Sequence, residues 1–229
     1  MENIFKSYLE QRYREQEFSQ PKGFEPIVTL SREFGCPSKL IAIKLADTLN
    51  KRQQINKTTS WEYINKEVLE EAARKLDINQ VFMNSALNSG DIGLMKDVLR
   101  SFSPTYVNNF TIKKTLYDVI RTFALKGYRI IVGRGGVAIL QGRPQTLHVR
   151  LQAPVEWRVK EVSSSKGINE QSAIKMITET DKNRTALIEL LLGRKFDHHL
   201  FDVSFNCSTL SMEEVVRSII SIMEIRKMI

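Results

Sequence analysis

The sequence predicts an α/β fold in which a mostly parallel sheet is covered by helices on both faces. Three observations predict it. Short apolar runs alternate with longer helical patterns along the chain. The first run, Ile27 to Leu30, is apolar apart from Thr29, as a strand buried on both faces requires. Glycine- or proline-marked turns stand at the ends of the runs.

Residues 1–18 carry Phe5, Tyr8, Leu9 and Tyr13 on a loose stripe between charges of both signs, an amphipathic helix suited to docking on its own domain or on a second subunit. "SQPKGFEP" reads as a linker, giving an expected division into 1–25 and a domain over 26–229. After the strand at Ile27 to Leu30, Ser38 is expected to cap a helix running to about Lys51, with Ile41, Leu45 and Leu49 on one face. "KRQQINKTTSWEY" is turn-rich with room for a short strand. A helix begins at Asn65, "SALNSGDIGLMKDVLRSF" reads as two short elements, and a long helical pattern is closed by Gly127. "YRIIVG" is a strand, "RGGVAILQGRPQ" a glycine-rich turn with a short helix, and "TLHVRL" another strand. "APVEWRVKEVSSS" opens a helix with proline close to its start, and "NEQSAIKMITETDKNRTALIELLL" is a further long one. "LFDVSFNCS" is the last strand, before a helix with Ser211 and Glu214 spaced as a capping box.

The chain has 229 residues, 42% hydrophobic and 26% charged, enough for one substantial core. No apolar run approaches the roughly 18 residues of a membrane span. The acid-bearing start, without a small-residue cleavage site, argues against a signal or transit peptide, so a cytoplasmic location is expected. Cys36 and Cys207 build no disulfide framework. The net charge of +8 is spread along the chain without a basic block, which suits an anionic small molecule and disfavours a nucleic-acid-binding protein.

In parallel sheets, ligands bind beyond the carboxyl ends of the strands, which directs attention to the loops after Leu30, Val132, Leu151 and Asn206. The first, Ser31 to Lys39, fails the strict GxxxxGK[ST] pattern: Ser38 precedes Lys39, and Leu40 follows it where a hydroxyl would reach magnesium. Lys39 at a helix start still offers charge and first-turn N–H groups to a phosphate, and an ordinary strand-to-helix turn remains the alternative. "GRGGVA", Gly133 to Ala138, matches a dinucleotide fingerprint, but no acid ends the next strand, so tight turning explains the glycines better. Cys36 lacks the arginine six residues on that a phosphatase cysteine uses, the position being Ala42. The adjacent histidines in "DHHLFD" do not make a metal cluster, and His148 lies within a strand as a packed residue. The arginines are more suggestive. Arg32 and Arg134 follow strand ends, Arg158 lies in the first turns of a helix and Arg184 within a long one. Phosphoryl transfer needs such cations around the moving oxygens.

"SREFGCPSKLIA", "YINKEVLEEAA", "IIVGRGGVAIL", "HVRLQAPVEWRV", the pair Asp181 and Arg184 in "DKNR", and "FDVSFNCSTLSMEEVV" follow one another in order. Over about Pro26 to Ile222 the chain resembles the cytidylate kinase-like family of the P-loop nucleoside monophosphate kinases. The resemblance implies a three-layer P-loop kinase fold with a small helical lid within 158–195. It also implies ATP with Mg2+, and a nucleoside monophosphate as acceptor, CMP or dCMP being the family-derived choice. By the same resemblance, Gly35, Cys36, Ser38, Lys39 and Leu40 would hold the ATP phosphates, and Arg32, Asn65 and Arg134 the acceptor. Lys39, Arg158 and Arg184 would act on the transferring group. Two departures accompany it: Pro37 and Ser38 stand where the family has glycines, and Asn65 where it usually has Asp. They support a second reading, a catalytically impaired nucleotide-binding protein with a regulatory or scaffolding role.

Overall fold

The computed structural model describes residues 23–52, 60–64 and 109–229. The expected helices at 1–18 and after Asn65, the two short elements before residue 103, and Asn65 itself lie outside the described residues.

Among the described residues five strands form one parallel sheet: β1 (Ile27–Arg32), β2 (Glu62–Ile64), β3 (Arg129–Val132), β4 (Thr146–Gln152) and β5 (Val203–Asn206), in spatial order β2-β3-β1-β4-β5. β1 is central because it is apolar toward both layers. On one side Val28 and Leu30 join a core with Leu147, Val149 and Leu151. That core is covered by α1 (Ser38–Arg52), through Ile41, Leu45 and Leu49, and by α6 (Met212–Ile225), through Val215, Val216, Ile219 and Ile220. On the other side Ile27 and Ile131 pack under α2 (Asn109–Lys126), α3 (Gly136–Ile139) and α5 (Glu170–Leu192). The alternation within one uninterrupted apolar run is the period-two geometry of a strand with helices on each face.

Helix α4 (Val155–Lys166) packs on α5 through a core of its own, Val159, Val162, Ala173 and Ile177, which Phe34 joins from the β1 loop. Asn169 caps α5 by accepting the Ser172 N–H, and Ser211 with Glu214 makes the expected capping box on α6. Gly127 closes α2 with φ +65°, a left-handed conformation that glycine takes without a Cβ penalty.

Two sequence expectations change. β1 runs two residues beyond Leu30, because Ser31 and Arg32 continue the ladder opposite Arg150 and Leu151. Ser38 is not the cap of α1 but its first residue. Pro37 supplies the carbonyl that takes the first helical bond, from the Ile41 N–H at 3.1 Å. At the opposite end of the sheet, buried Arg143 donates to the carbonyls of Glu25, Ala124 and Pro144, and burial lowers its pKa to about 10. Among the described residues no helix is long and apolar enough to cross a membrane.

Candidate functional site

Among the described residues, the loops after β1, β3, β4 and β5 meet at the carboxyl edge of the sheet, and the loop after β1 is built first by its backbone. Glu33 N–H donates to Leu151 O at 2.9 Å, extending the β1–β4 pairing one residue past Arg32. The chain then turns, with Cys36 N–H bonded to Glu33 O at 3.2 Å and Ser38 N–H to Cys36 O at 2.8 Å. The second bond closes a three-residue turn centred on Pro37, whose fixed φ suits it. The loop therefore consumes two of its own donors and lacks a third at proline. Among the described residues, the N–H groups of Gly35, Lys39 and Leu40 make no hydrogen bond, and the Lys39 and Leu40 side chains are exposed. Gly35 is required twice over: its φ is +98°, and a Cβ there would lie 3.2 Å from Arg158 Cβ and 3.3 Å from Val162 Cγ2.

Below the loop lies a set of ion pairs. Arg158, 5% exposed, donates from Nε to Ala153 O at 3.0 Å. Its Nη1 donates to Phe34 O at 3.2 Å and to Asp181 Oδ2 at 2.6 Å. Asp181 Oδ1 accepts the Phe34 N–H at 2.7 Å, so α4 and α5 hold both polar groups of the Phe34 backbone. Glu33 accepts from Arg150 at 3.2 Å and from the Ala153 N–H at 3.1 Å, and lies 3.5 Å from Arg158 Nε. Arg158 is thus anchored beneath the loop through Nε and Nη1, and the side chains that hold the loop in place come from β4, α4 and α5.

Arg32, Arg134 and Arg184 form a different group. Arg32 ends β1 and rests against Gly133, where a Cβ would lie 2.9 Å from its Cζ. Arg184 Nη1 donates to Arg32 O at 3.1 Å, its guanidinium sits 5.4 Å from the centre of the Phe34 ring, and Asp181 is 3.5 Å away. Arg134 stands in a tight left-handed turn, with φ +71° at Gly133, +57° at Arg134 and +71° at Gly135, closed by Gly136 N–H to Gly133 O at 3.0 Å. A non-glycine residue in this conformation costs on the order of 1–2 kcal/mol, and such strain collects at functional positions. Burial lowers the Arg32 pKa to about 9, helped by the charges of Arg184 and Arg134 and opposed by Asp181. The Arg184 pKa is lowered by burial too; Asp181 opposes that, and Arg134 and Arg158 add to it. Three guanidinium groups that disfavour one another's charge make a positive field at this edge, which Asp181 offsets at Arg32 and Arg184.

His148, by contrast, is packed. Its Nδ1 is 2.7 Å from Thr29 Oγ1, its backbone N–H donates to Asp202 Oδ2, and burial lowers its pKa to about 4. No group of three or more His, Cys, Asp or Glu side chains able to hold a metal occurs among the described residues.

Comparison with known proteins gives this geometry a context. The model of the cytidylate kinase-like family matches residues 27–209. The chain belongs to the cytidylate kinase-like family. Among solved structures, an uncharacterized protein from Eubacterium ventriosum superposes with a TM-score of 0.63 at 21% identity, over 87% of this chain and 99% of that one. Shikimate kinase from Bacteroides thetaiotaomicron gives a TM-score of 0.49 at 11% identity, over 87% and 98%. The first likeness shows the shared fold. No curated protein matches the chain.

In this cytidylate kinase-like chain, Arg32, Arg134 and Arg184 are brought together from β1, the loop after β3, and α5. Gly35, Cys36, Ser38, Lys39 and Leu40 form the adjoining turn and helix start, and Arg158 is set below them. The resemblance brought out Asp181 only as Arg184's neighbour, and Glu33 carried no signal except as an acid directly after a strand-ending arginine. Cys207 was visible only as one of two cysteines.

Proposed function

We propose that the chain transfers the γ-phosphoryl group of ATP to a nucleoside monophosphate, with CMP or dCMP the acceptor suggested by the family. The observation that carries the reading is the convergence of Arg32, Arg134 and Arg184 at the carboxyl edge of the sheet, beside a glycine turn and a helix start. In this reading the three arginines receive the acceptor's dianionic phosphate, whose charge offsets the repulsion that Arg184 and Arg134 exert on Arg32. The N–H groups of Gly35, Lys39 and Leu40 and the N-terminus of α1 face the donor phosphates, and the Lys39 ammonium adds a mobile positive charge. Arg184 lies on α5 and contacts the backbone of β1, so it lies between acceptor and donor and meets charge developing on the transferred group. We assign Arg158 to holding the loop through Phe34 and Asp181, and the α4–α5 pair to the lid that excludes water, the competing acceptor.

The carboxylates nearest the loop, Glu33 and Asp181, are both engaged by arginines and backbone N–H groups, so the described residues do not build a magnesium site of their own. Magnesium arriving with ATP is held chiefly by phosphate oxygens and water in this reading.

The test incubates the protein with magnesium-ATP and each common nucleoside monophosphate, measuring ADP and the new diphosphate. Arg184→Ala is expected to lower turnover by about 100-fold or more. Absence of product above a Lys39→Ala, Arg184→Ala double variant sinks the transfer reading. The second reading, a nucleotide-binding protein without efficient transfer, is favoured by Pro37 and by the Ser38 N–H turned back onto Cys36 O. Nucleotide binding without product would establish it.

A further inference from the structure

The two cysteines of the chain are far apart in sequence and meet in space. The backbone explains how. At the carboxyl end of β4, Leu151 O accepts the Glu33 N–H on one side and Gln152 O accepts the Cys207 N–H at 2.8 Å on the other. Glu33 and Cys207 therefore flank the same strand end, roughly 10 Å apart by two strand spacings. The turn closed by Cys36 N–H to Glu33 O folds Cys36 back across that gap. Both residues belong to the same apolar cluster, Cys36 at 9% exposure and Cys207 half-buried. Their side chains are in hydrogen-bond contact.

We propose that Cys36 and Cys207 are a peroxide-sensitive pair whose disulfide ties the loop after β1 to the loop after β5 and withdraws the first loop from polyphosphate. Exposure assigns the two roles: Cys207, half-buried, is open to a hydroperoxide, and Cys36 is buried behind it. The half-exposed Cys207 is the attacking thiolate and the buried Cys36 the resolving thiol. Cys207 sulfur attacks one oxygen of a hydroperoxide. An S–O bond forms, the O–O bond breaks, and the departing oxygen leaves as an alcohol or water, carrying the proton lost by Cys207. Cys36 sulfur then attacks the Cys207 sulfenic acid, the S–S bond forms, and hydroxide leaves as water with the Cys36 proton. Two thiols are oxidised by two electrons and one peroxide is reduced.

The loop cannot ignore this. A disulfide holds its sulfurs at about 2.05 Å, well inside thiol hydrogen-bond distance, so Cys36 must move toward β5. Its N–H and carbonyl are the groups that close the turn at Glu33 and Ser38, so the shift passes directly to the N–H groups of Lys39 and Leu40. The linkage stands on the cysteine geometry alone; its effect on nucleotide rests on the proposed function.

The experiment treats the full chain with stoichiometric hydrogen peroxide and analyses it without reduction. A loss of two hydrogens, a linked peptide pair containing Cys36 and Cys207, and full reversal by dithiothreitol are expected. Cys36→Ser is expected to accumulate a dimedone-trappable sulfenic acid on Cys207, and Cys207→Ser to leave Cys36 unmodified. Backbone amide exchange over residues 33–40 should slow in the oxidised protein, and magnesium-ATP binding should weaken by about tenfold, the worth of one charge-assisted hydrogen bond. Links only between two copies, or sulfinic acid on Cys207 with Cys36 still a thiol, overturn the pair. An intact link with unchanged exchange overturns the effect on the loop. Slowed exchange in a protein whose reduced form binds no nucleotide upholds the pair and refutes the proposed function.

Discussion

Gly133→Ala strikes the arginine cluster without removing a charge. Gly133 has φ +71°, so an alanine there carries a left-handed penalty of about 1–2 kcal/mol. Its Cβ would also lie 2.9 Å from Arg32 Cζ and 3.4 Å from Nη2, tighter than ordinary contact. Restoring normal packing swings the guanidinium away by roughly 1 Å or more, since apolar contacts begin near 4 Å. A charge-assisted hydrogen bond is worth about 1.5–3 kcal/mol, so losing the one Arg32 makes to a phosphate weakens binding about 10- to 100-fold. Gly142→Ala is the control, because Gly142 has φ +76° and nothing within 4 Å of an added Cβ. Urea denaturation should show both variants destabilised by similar amounts, about 1–2 kcal/mol. Calorimetric titration with CMP should show weakened binding for Gly133→Ala alone. Unchanged affinity in Gly133→Ala, or an equal loss in Gly142→Ala, would refute the placement of Arg32 in an anion site.

Three further outcomes follow from the same contacts. Asp181→Asn weakens the ion pair with Arg158 and the acceptor for Phe34 N–H, and a loss of about 2 kcal/mol is expected in denaturant melts, discounted for the partial exposure of Asp181. Pro37→Gly returns an N–H and frees φ, so magnesium-ATP affinity should rise by about tenfold; unchanged affinity in calorimetry would show that the proline turn is not what limits the loop. His148, facing Thr29, Asp202 and Arg226, has a pKa lowered by burial from 6.5 to about 4. Between those values the unfolded chain binds a proton that the folded one does not, so stability falls as pH drops from 6.5 to 4, by up to about 3 kcal/mol. His148→Gln should remove that share of the slope in melts recorded across the window, and an unaltered slope would assign it to other groups.

The layers of the fold were legible because they rest on local chemistry. The unbroken apolar run at Ile27 to Leu30, the glycine after α2 and the Ser211–Glu214 box each announce a structure within a few residues. Strand order was not legible, because the placement of β1 between β3 and β4 is decided by long-range pairing. At the site, the residue types could be read but not their partition. Arg158 and Arg184 look alike in a helical pattern. What separates them is that Glu33, Ala153, Phe34 and Asp181 close around Arg158, whereas Arg184 reaches the backbone of β1. The reading of Ser38 as a cap failed for a similar reason. Hydroxyl chemistry favours a cap, but the turn imposed by Pro37 takes the Ser38 N–H one position early and leaves the proline carbonyl to begin the helix.

The buried Arg158 also sets how the α4–α5 pair can move. Pinned to Ala153, Phe34 and Asp181, this arginine makes the base of α4 a fulcrum. From there to Lys166 the helix extends roughly 12 Å, so a tilt of roughly 20° carries its far end about 4 Å while the pinned turn barely shifts. Gly35 faces the fulcrum, and Val162, one turn along the lever, lies 3.3 Å from where its Cβ would be. Any swing of the pair is therefore delivered to the loop after β1 as pressure from one valine, a short-stroke coupling that a larger residue at position 35 would jam.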